Sequence, residues 1–353
     1  MKNFKPAVIC CLIPLLLMIS CAGSPDNSGK PDWVDNVNSA YNRMQYIAAV
    51  GYSQDRQTAE RNAIANLSAY FSQSIQADQT IRNSYYEAAR NGRILEWIDN
   101  IEIQDVIRTT SSMDTLIGAE IREIWFDEKS KIYYAAAVME RQKTIRLYTD
   151  MINANLEVIK KLVSADQAER DSLEAVSRYR AAGTFADMNT SHANLLNVLS
   201  APIPNGVTTG DQYRLEALNV TKAIPVSIIV TGDRSARVQS AFANVFSELG
   251  FRTGAGSAPD ASRYVLYVNI VLTNPDYPNY QWVQMELSAN LTDAVNALNA
   301  GSAAVLLPYS FTSREGHTTT ALAENRVFLS AEQKIASEYK TLLSSYLDQL
   351  LPK

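Results

Sequence analysis

Side chains able to do demanding chemistry are scarce in this chain. Its two histidines, His192 and His317, fall far apart, and neither has a Cys or His at ligand spacing. No His-Glu-x-x-His or Cys-x-x-Cys occurs, so no metal site of a standard type is expected. Of the three cysteines, Cys10 and Cys11 lie in an amino-terminal apolar run, which leaves Cys21 as the one thiol beyond it. That count excludes thiol catalysis and a disulfide framework in the remaining chain. The nearest approach to a phosphate-cradling loop is Gly254-Ala255-Gly256-Ser257-Ala258-Pro259, which no helix pattern follows, so it reads as a plain loop and no cofactor is expected.

Acid and base pairs are equally unpromising. Asp99/Glu102 and Asp127/Glu128 sit among polar turn residues, where solvated charge is the ordinary role, rather than as the facing carboxylates of glycoside hydrolysis. Ser337-Glu338-Tyr339-Lys340 has the Ser-x-x-Lys spacing of acyl-transferring enzymes. It lies midway along an amphipathic helical pattern and has no Lys-Thr-Gly partner, so a chance match is expected. No catalytic residue is assigned, and the chain reads as a non-enzyme. A hydrolase with an unrecognised site is the lesser alternative.

Contact chemistry is better represented. Asn274-Pro275-Asp276-Tyr277-Pro278-Asn279-Tyr280-Gln281-Trp282 joins two predicted strands and is stiffened by two prolines. Tyr277, Tyr280 and Trp282 offer large rigid contact area to a protein or a glycan; the competing expectation is that they fold back onto the sheet edge. Tyr85-Tyr86 and Trp97 form a second, weaker candidate for contact, for which helix-core packing is the favoured reading.

The elements that position these residues follow from composition and periodicity. The chain has 353 residues, 46% hydrophobic and 20% charged, which suffices for two ordinary domains. Net charge is −5 with no basic run, so the electrostatic footprint of a nucleic-acid binder is missing. Tyr46 to Tyr52 reads as a buried strand ended by Gly51. A helix follows with Asp55 as N-cap and Ala59, Ala63, Ile64, Leu67, Tyr70, Phe71 and Ile75 on one face. Strands are predicted around Ile101/Ile103 and Ile117 to Ile121. Trp125-Phe126 and Tyr133-Tyr134 flank the polar turn Asp127–Lys131, and Ile132 to Met139 forms an apolar strand. Residues 143–200 form a helical hairpin, and 201–223 a loop linker opened by Ala201-Pro202-Ile203-Pro204-Asn205-Gly206. From Ile224 the order is β-α-β-β-β-α. Asp233 is a candidate N-cap, Gly250 a helix stop, and Asn299–Ser302 a turn. The expected fold is therefore α+β, two small sandwich-like domains at 31–142 and 224–353 joined by the hairpin.

The first residues carry an address. Lys2 and Lys5 precede a 13-residue apolar stretch, Ala7 to Ile19. That length suits a signal peptide and falls short of the ~20 residues that span a bilayer. Leu17-Met18-Ile19-Ser20-Cys21 resembles the lipobox of bacterial lipoproteins. The resemblance implies a signal peptide at 1–20, lipid on Cys21 and a flexible tether at 21–30. Ala22 in place of Asp after the cysteine implies, by the sorting rule of many diderm lipoproteins, an outer-membrane anchor facing the periplasm or the cell surface.

Pro31-Asp32-Trp33-Val34, Tyr46-Ile47-Ala48-Ala49-Val50-Gly51-Tyr52-Ser53 and Ala59-Glu60-Arg61-Asn62-Ala63-Ile64-Ala65-Asn66-Leu67 together resemble the twenty-kilodalton outer-membrane lipoprotein (Lpp-twenty-like) family. They are also similar to the amino-terminal domain of the flagellar assembly protein T. By element order alone, the carboxyl unit is similar to the amino-terminal domain of TolB-type proteins. The resemblance implies an outer-membrane lipoprotein without enzymatic activity or cofactor. The resulting expectation is a scaffold, assembly or regulatory factor that binds another envelope protein; the alternative is a peptidoglycan- or glycan-binding module using Tyr277 to Trp282. Metabolic labelling with palmitate tests the address: the wild-type protein takes up label and fractionates with membranes, and Cys21→Ser loses both properties. An unlabelled wild type that fractionates like the variant would remove the anchor.

Overall fold

The computed structural model describes residues 29–71, 79–90, 103–105, 107, 116–164, 170–233, 235–254, 262–295 and 304–350. The fold is α+β with two sheets. In the amino-terminal unit two short helices, α1 (Asp32–Asp35) and α2 (Val37–Ala40), precede β1 (Tyr46–Ser53) and α3 (Arg56–Ala69). Strands β2 (Ala119–Asp127) and β3 (Ile132–Glu140) complete an antiparallel sheet of order β1-β3-β2. Asp55 caps α3 as expected, accepting the Thr58 N–H at 2.8 Å. Ala59, Ala63, Leu67 and Phe71, four residues apart, are buried against Ile47, Ala135, Ala137 and Met139. Tyr70, expected on the same face, is exposed, because its position points away from the sheet.

Gly51 does not end its strand. β1 continues to Ser53, and a Cβ on Gly51 would stand 2.1 Å from the Ala63 backbone nitrogen. Glycine thus lets the helix backbone lie directly on the strand. The side-chain amides of Asn62 and Asn66 then reach the Tyr52 and Val50 carbonyls at 3.1 and 2.9 Å. The aromatic hairpin pairs as expected: Trp125 faces Tyr134 and Phe126 faces Tyr133, with centroids 5.4 and 4.5 Å apart. Ile103, expected in a strand, lies in a helical turn at 103–105, since two apolar residues at i and i+2 do not define a period. Ile75, Trp97, Ile101 and the pair Asp99/Glu102 lie outside the described residues. On the sheet's other face Trp33 and Tyr41 pack over Ala136 and Val138, whose small side chains leave room for the rings.

The middle of the chain is a helical assembly. α4 (Gln79–Arg90) joins the hairpin of α5 (Arg141–Val163) and α6 (Leu173–Val198). Tyr85 is buried edge-on against Phe185, as the helix-core expectation had it, and donates to Asn155 at 3.1 Å. The Asn155 amide donates to Asn189 at 2.9 Å, and Asn189 donates to the Ile152 carbonyl at 3.2 Å, so the buried amides are satisfied in a chain. The stretch 201–223, expected as a loop, carries the helix α7 (Asp211–Ala223). It buries only the small Ala217 and Thr221, too weak a stripe to be read from the sequence. Gly210 touches Gly183 of α6, where a Cβ would meet the Gly183 carbonyl at 2.4 Å. Asp187 accepts the Gly210 N–H at 2.8 Å and pairs with Arg214 at 2.6 Å.

The carboxyl-terminal unit contains β4 (Pro225–Thr231), α8 (Arg237–Glu248), β5 (Arg252–Gly254), β6 (Tyr264–Thr273), β7 (Gln281–Asp293) and β8 (Val305–His317). It closes with α9 (Thr320–Lys334), a π-helical turn at Ile335–Tyr339 and α10 (Lys340–Gln349). The sheet order is β5-β4-β6-β7-β8, with β5, β4 and β6 parallel and β6, β7 and β8 antiparallel. The expected β-α-β-β-β-α order holds, with the three-residue β5 added. Asp233 does cap α8, but from outside its first turn: it accepts the Val238 and Gln239 N–H groups at 2.9 and 3.1 Å, while Ala236 sits left-handed at φ 55°. Gly250 at φ +93° ends that helix. Helices α8 to α10 bury Phe242, Phe246, Val327 and Tyr339 against Leu266, Met285 and Leu287 on one face of the sheet. The expected turn at Asn299–Ser302 lies outside the described residues.

The contact at Gly51 yields a test. Gly51→Ala should cost upwards of about 3 kcal/mol, because the clash is with helix backbone that cannot rotate away. Urea unfolding of the two proteins measures it; an unchanged midpoint would mean that α3 can lift from β1 freely.

Candidate functional site

The open face of the carboxyl-terminal sheet is the most distinctive surface. Along β7, Val283, Met285, Leu287, Ala289 and Leu291 point into the core, and Trp282, Gln284, Glu286, Ser288 and Asn290 point the other way. Register brings Gly316, Arg314, Thr312, Ser310 and Pro308 of β8 beside that second set. It also brings Thr273, Val271, Asn269 and Tyr267 of β6 alongside. The rows are polar at the centre, around a shallow depression of about 300 Å³ lined by Asn269, Val271, Glu286, Ser288, Ser310 and Thr312.

Aromatic rings close one end of this face. Tyr277 and Tyr280 are 42% and 53% exposed, on the turn between β6 and β7. They stand edge-on to Trp282, with centroids 5.7 and 6.5 Å away. The indole lies over Gly316, where a Cβ would come within 2.9 Å of the ring. Arg314 donates to the Tyr277 hydroxyl at 2.7 Å and holds its guanidinium carbon 5.2 Å from that ring's centre. Trp282 thus folds onto the sheet, as the fold-back expectation had it, and the two tyrosines remain exposed. Arg314 and Gly316 were missed in the sequence. They meet the aromatic segment only through the β7–β8 register, and the one available signal was the matching alternation of the two strands.

The residues that could have done chemistry are placed otherwise. His192 is buried edge-on against Tyr148 at 5.3 Å, and neither ring nitrogen has a hydrogen-bond partner among the described residues. Burial alone lowers its pKa to about 3. A base so placed reaches neither solvent nor a proton donor. His317 is at the surface beside the Thr318 hydroxyl. Ser337 donates back to the Gln333 carbonyl at 2.8 Å, and Lys340 pairs with Glu248 at 2.7 Å, so the Ser-x-x-Lys spacing makes no nucleophile–base contact. Asp127 accepts from Lys129 N–H and Ser130 Oγ in a turn, and these bonds lower its pKa. Burial pushes the phenols of Tyr264, Tyr309 and Tyr339 upward, so they stay protonated. Among the described residues no group of three His, Cys, Asp or Glu side chains is arranged to hold a metal ion, and no helix is long and apolar enough to cross a membrane. Cys21 lies outside the described residues.

No protein family matches the chain, and no curated protein matches it in sequence. Among solved structures it is similar to a secreted protein of Helicobacter pylori at 13% identity, over 83% of this chain and 98% of that one, with a TM-score of 0.41. It is also similar to a putative lipoprotein of Caulobacter crescentus at 13% identity, covering 36% of this chain and 93% of the other, with a TM-score of 0.26. A minor lipoprotein of Acinetobacter baumannii aligns at 11% identity over 36% of this chain and 94% of its own length, with a TM-score of 0.25. Likeness this distant leaves the reading of this chain to its own residues.

The buried imidazole has a measurable consequence. Its pKa falls from 6.5 in the unfolded chain to about 3 when folded, so the native state stays neutral. Below pH 6.5 the unfolded chain binds a proton that the native chain refuses, and stability drops by about 1.4 kcal/mol per pH unit until about pH 3. Between pH 7 and 4.5 wild type should lose about 2–3 kcal/mol more than His192→Leu, by urea unfolding at both pH values. Equal losses would show that His192 is hydrated or paired in the native state.

Proposed function

We propose that this protein is a non-enzymatic, lipid-anchored lipoprotein of the bacterial outer membrane, akin to the twenty-kilodalton lipoproteins. Its body serves as a scaffold, assembly or regulatory factor that holds a second envelope protein. The observation that carries this reading is the one-sided cover of the five-stranded sheet: helices α8 to α10 bury one face, and the other presents polar rows ending in Tyr277, Tyr280 and Arg314. Tyrosine and arginine around a partly buried indole are the residue types that dominate protein contact surfaces. The cysteine at position 21, after a signal-like apolar run, would place that face within reach of envelope partners.

A glycan reading rests on the same exposed tyrosines. Sugars stack on free aromatic faces, however, and here Gly316 takes one face of Trp282 while Arg314 stands over the ring of Tyr277. The geometry therefore favours a protein. Cross-linking in intact cells, followed by mass spectrometry, compares wild type with a Tyr277→Ala/Trp282→Ala double variant whose folding is checked by circular dichroism. The envelope-protein adduct should fall at least ~10-fold, as expected for loss of two contact residues of about 1 kcal/mol or more each. Muropeptide sedimentation should be unchanged. Loss of muropeptide binding with the adduct intact would move the assignment to cell-wall recognition.

A further inference from the structure

The outer edge of β8 offers more than a surface to lean on. Ala294 N–H donates to the Arg263 carbonyl at 2.7 Å, which sets the hydrogen-bonding parity of the β6–β7 ladder. Carried through the register, that parity directs the main chain of Leu307, Tyr309, Phe311, Ser313 and Glu315 toward β7. The N–H and C=O groups of Ser310, Thr312, Arg314 and Gly316 are then turned outward, where no described strand pairs with them. Pro308 agrees with this assignment, because a residue without an N–H is tolerated in a strand only where its nitrogen faces away from the ladder. It also ends the available edge, leaving 310–316 as a segment ready to accept a strand.

We infer that this edge binds an extended segment of a partner polypeptide by strand addition, with a carboxylate of the added strand set beside Arg314. This identifies the kind of partner and rests on the protein-contact reading above. Arg314 forms no salt bridge with a described residue; its guanidinium is positioned by Tyr277, and the nearby Glu286 is instead engaged by Gln284 at 3.1 Å. A strand laid along β8 places alternate side chains on the open face next to Ser310, Thr312 and Arg314, where an acidic residue completes a charge-assisted contact. A second copy of this chain fits poorly. Antiparallel self-pairing centred on 310–316 makes the two Arg314 side chains diagonal neighbours on one face, about 7–8 Å apart. The outward row has no carboxylate to separate them, since Glu315 points to the opposite face.

The test uses the purified mature chain and two end-blocked, dye-labelled peptides of sequence Thr-Val-Thr-Val-X-Val-Thr-Val-Thr, with X as Glu or Lys. The sequence reads alike in both directions, so strand orientation does not matter. Fluorescence anisotropy should show the Glu peptide binding at least 10-fold more tightly than the Lys peptide, and Arg314→Glu should invert that order. Thr312→Pro removes only an outward N–H and should abolish binding of both; if it fails to fold, the charge inversion still decides. Absence of binding, equal binding of the two peptides, or a dimer in sedimentation that Thr312→Pro dissolves would each overturn the inference. Such a result with the cellular adduct at Tyr277 and Trp282 intact would leave the face as the contact and remove the strand.

Discussion

One helix makes this molecule a single body. α6 spans 26 residues, about 39 Å at the usual rise, and contributes to a different core along each part of its length. Leu173 and Val176 at its start belong to the carboxyl-terminal core, and Leu195, Leu196 and Leu199 at its end belong to the amino-terminal one. Between them Ala182, Phe185 and Ala186 pack against α4 and α5. Truncating a core leucine typically costs about 2–5 kcal/mol, a large share of a domain's net stability. The two sheet units are therefore held by apolar burial along a common beam. Polar ties reinforce its first turns against the carboxyl-terminal unit: Leu173 N–H donates to Tyr264 at 3.1 Å, and Arg180 pairs with Asp348 at 3.0 Å.

With the units held, their two sheets differ in how their faces are covered. The amino-terminal sheet is covered by α3 on one side and, in part, by Trp33 and Tyr41 on the other. Helices α8 to α10 pack on one side of the carboxyl-terminal sheet, and antiparallel strands tolerate an exposed stretch on the other because alternate residues can be polar. Gln284, Glu286 and Ser288 need no apolar cover, so nothing in folding demands a lid over them. The face stays open to solvent, with an aromatic cluster at one end and the outer edge of β8 along one side. The chemistry-bearing residues elsewhere are occupied: His192 is neutral in a core, Ser337 is bonded to its own helix, and Lys340 is paired.

Glycines and small residues mark the places where reading a sequence by periodicity falls short. Gly51 looked like punctuation and is a contact surface for α3; Gly183 and Gly210 let α7 settle on α6 in a stretch that reads as loop. A glycine that ends an element and one that admits a neighbouring backbone are alike in one dimension, and the partner backbone distinguishes them. Ile103 shows the same ambiguity in apolar form: two isoleucines at spacing two suit a strand, and residues 103–105 turn helically.

What local periodicity and capping chemistry determine was legible: β1 and α3 with Asp55 as cap, the aromatic hairpin, the long hairpin helices, and the alternation of β7 and β8 that gives an α+β fold with one wet sheet face. These features depend on residues close in the chain, whose spacing records which side is buried. The scarcity of metal ligands and thiols was equally plain, because it is a matter of composition. Tertiary structure alone decided that α6 serves three cores, that Trp282 rests on Gly316, and that Arg314 stands over Tyr277 beside an edge no described strand pairs with. Those facts depend on strand register and helix placement, which bring together residues tens of positions apart, and no spacing along the chain encodes that distance.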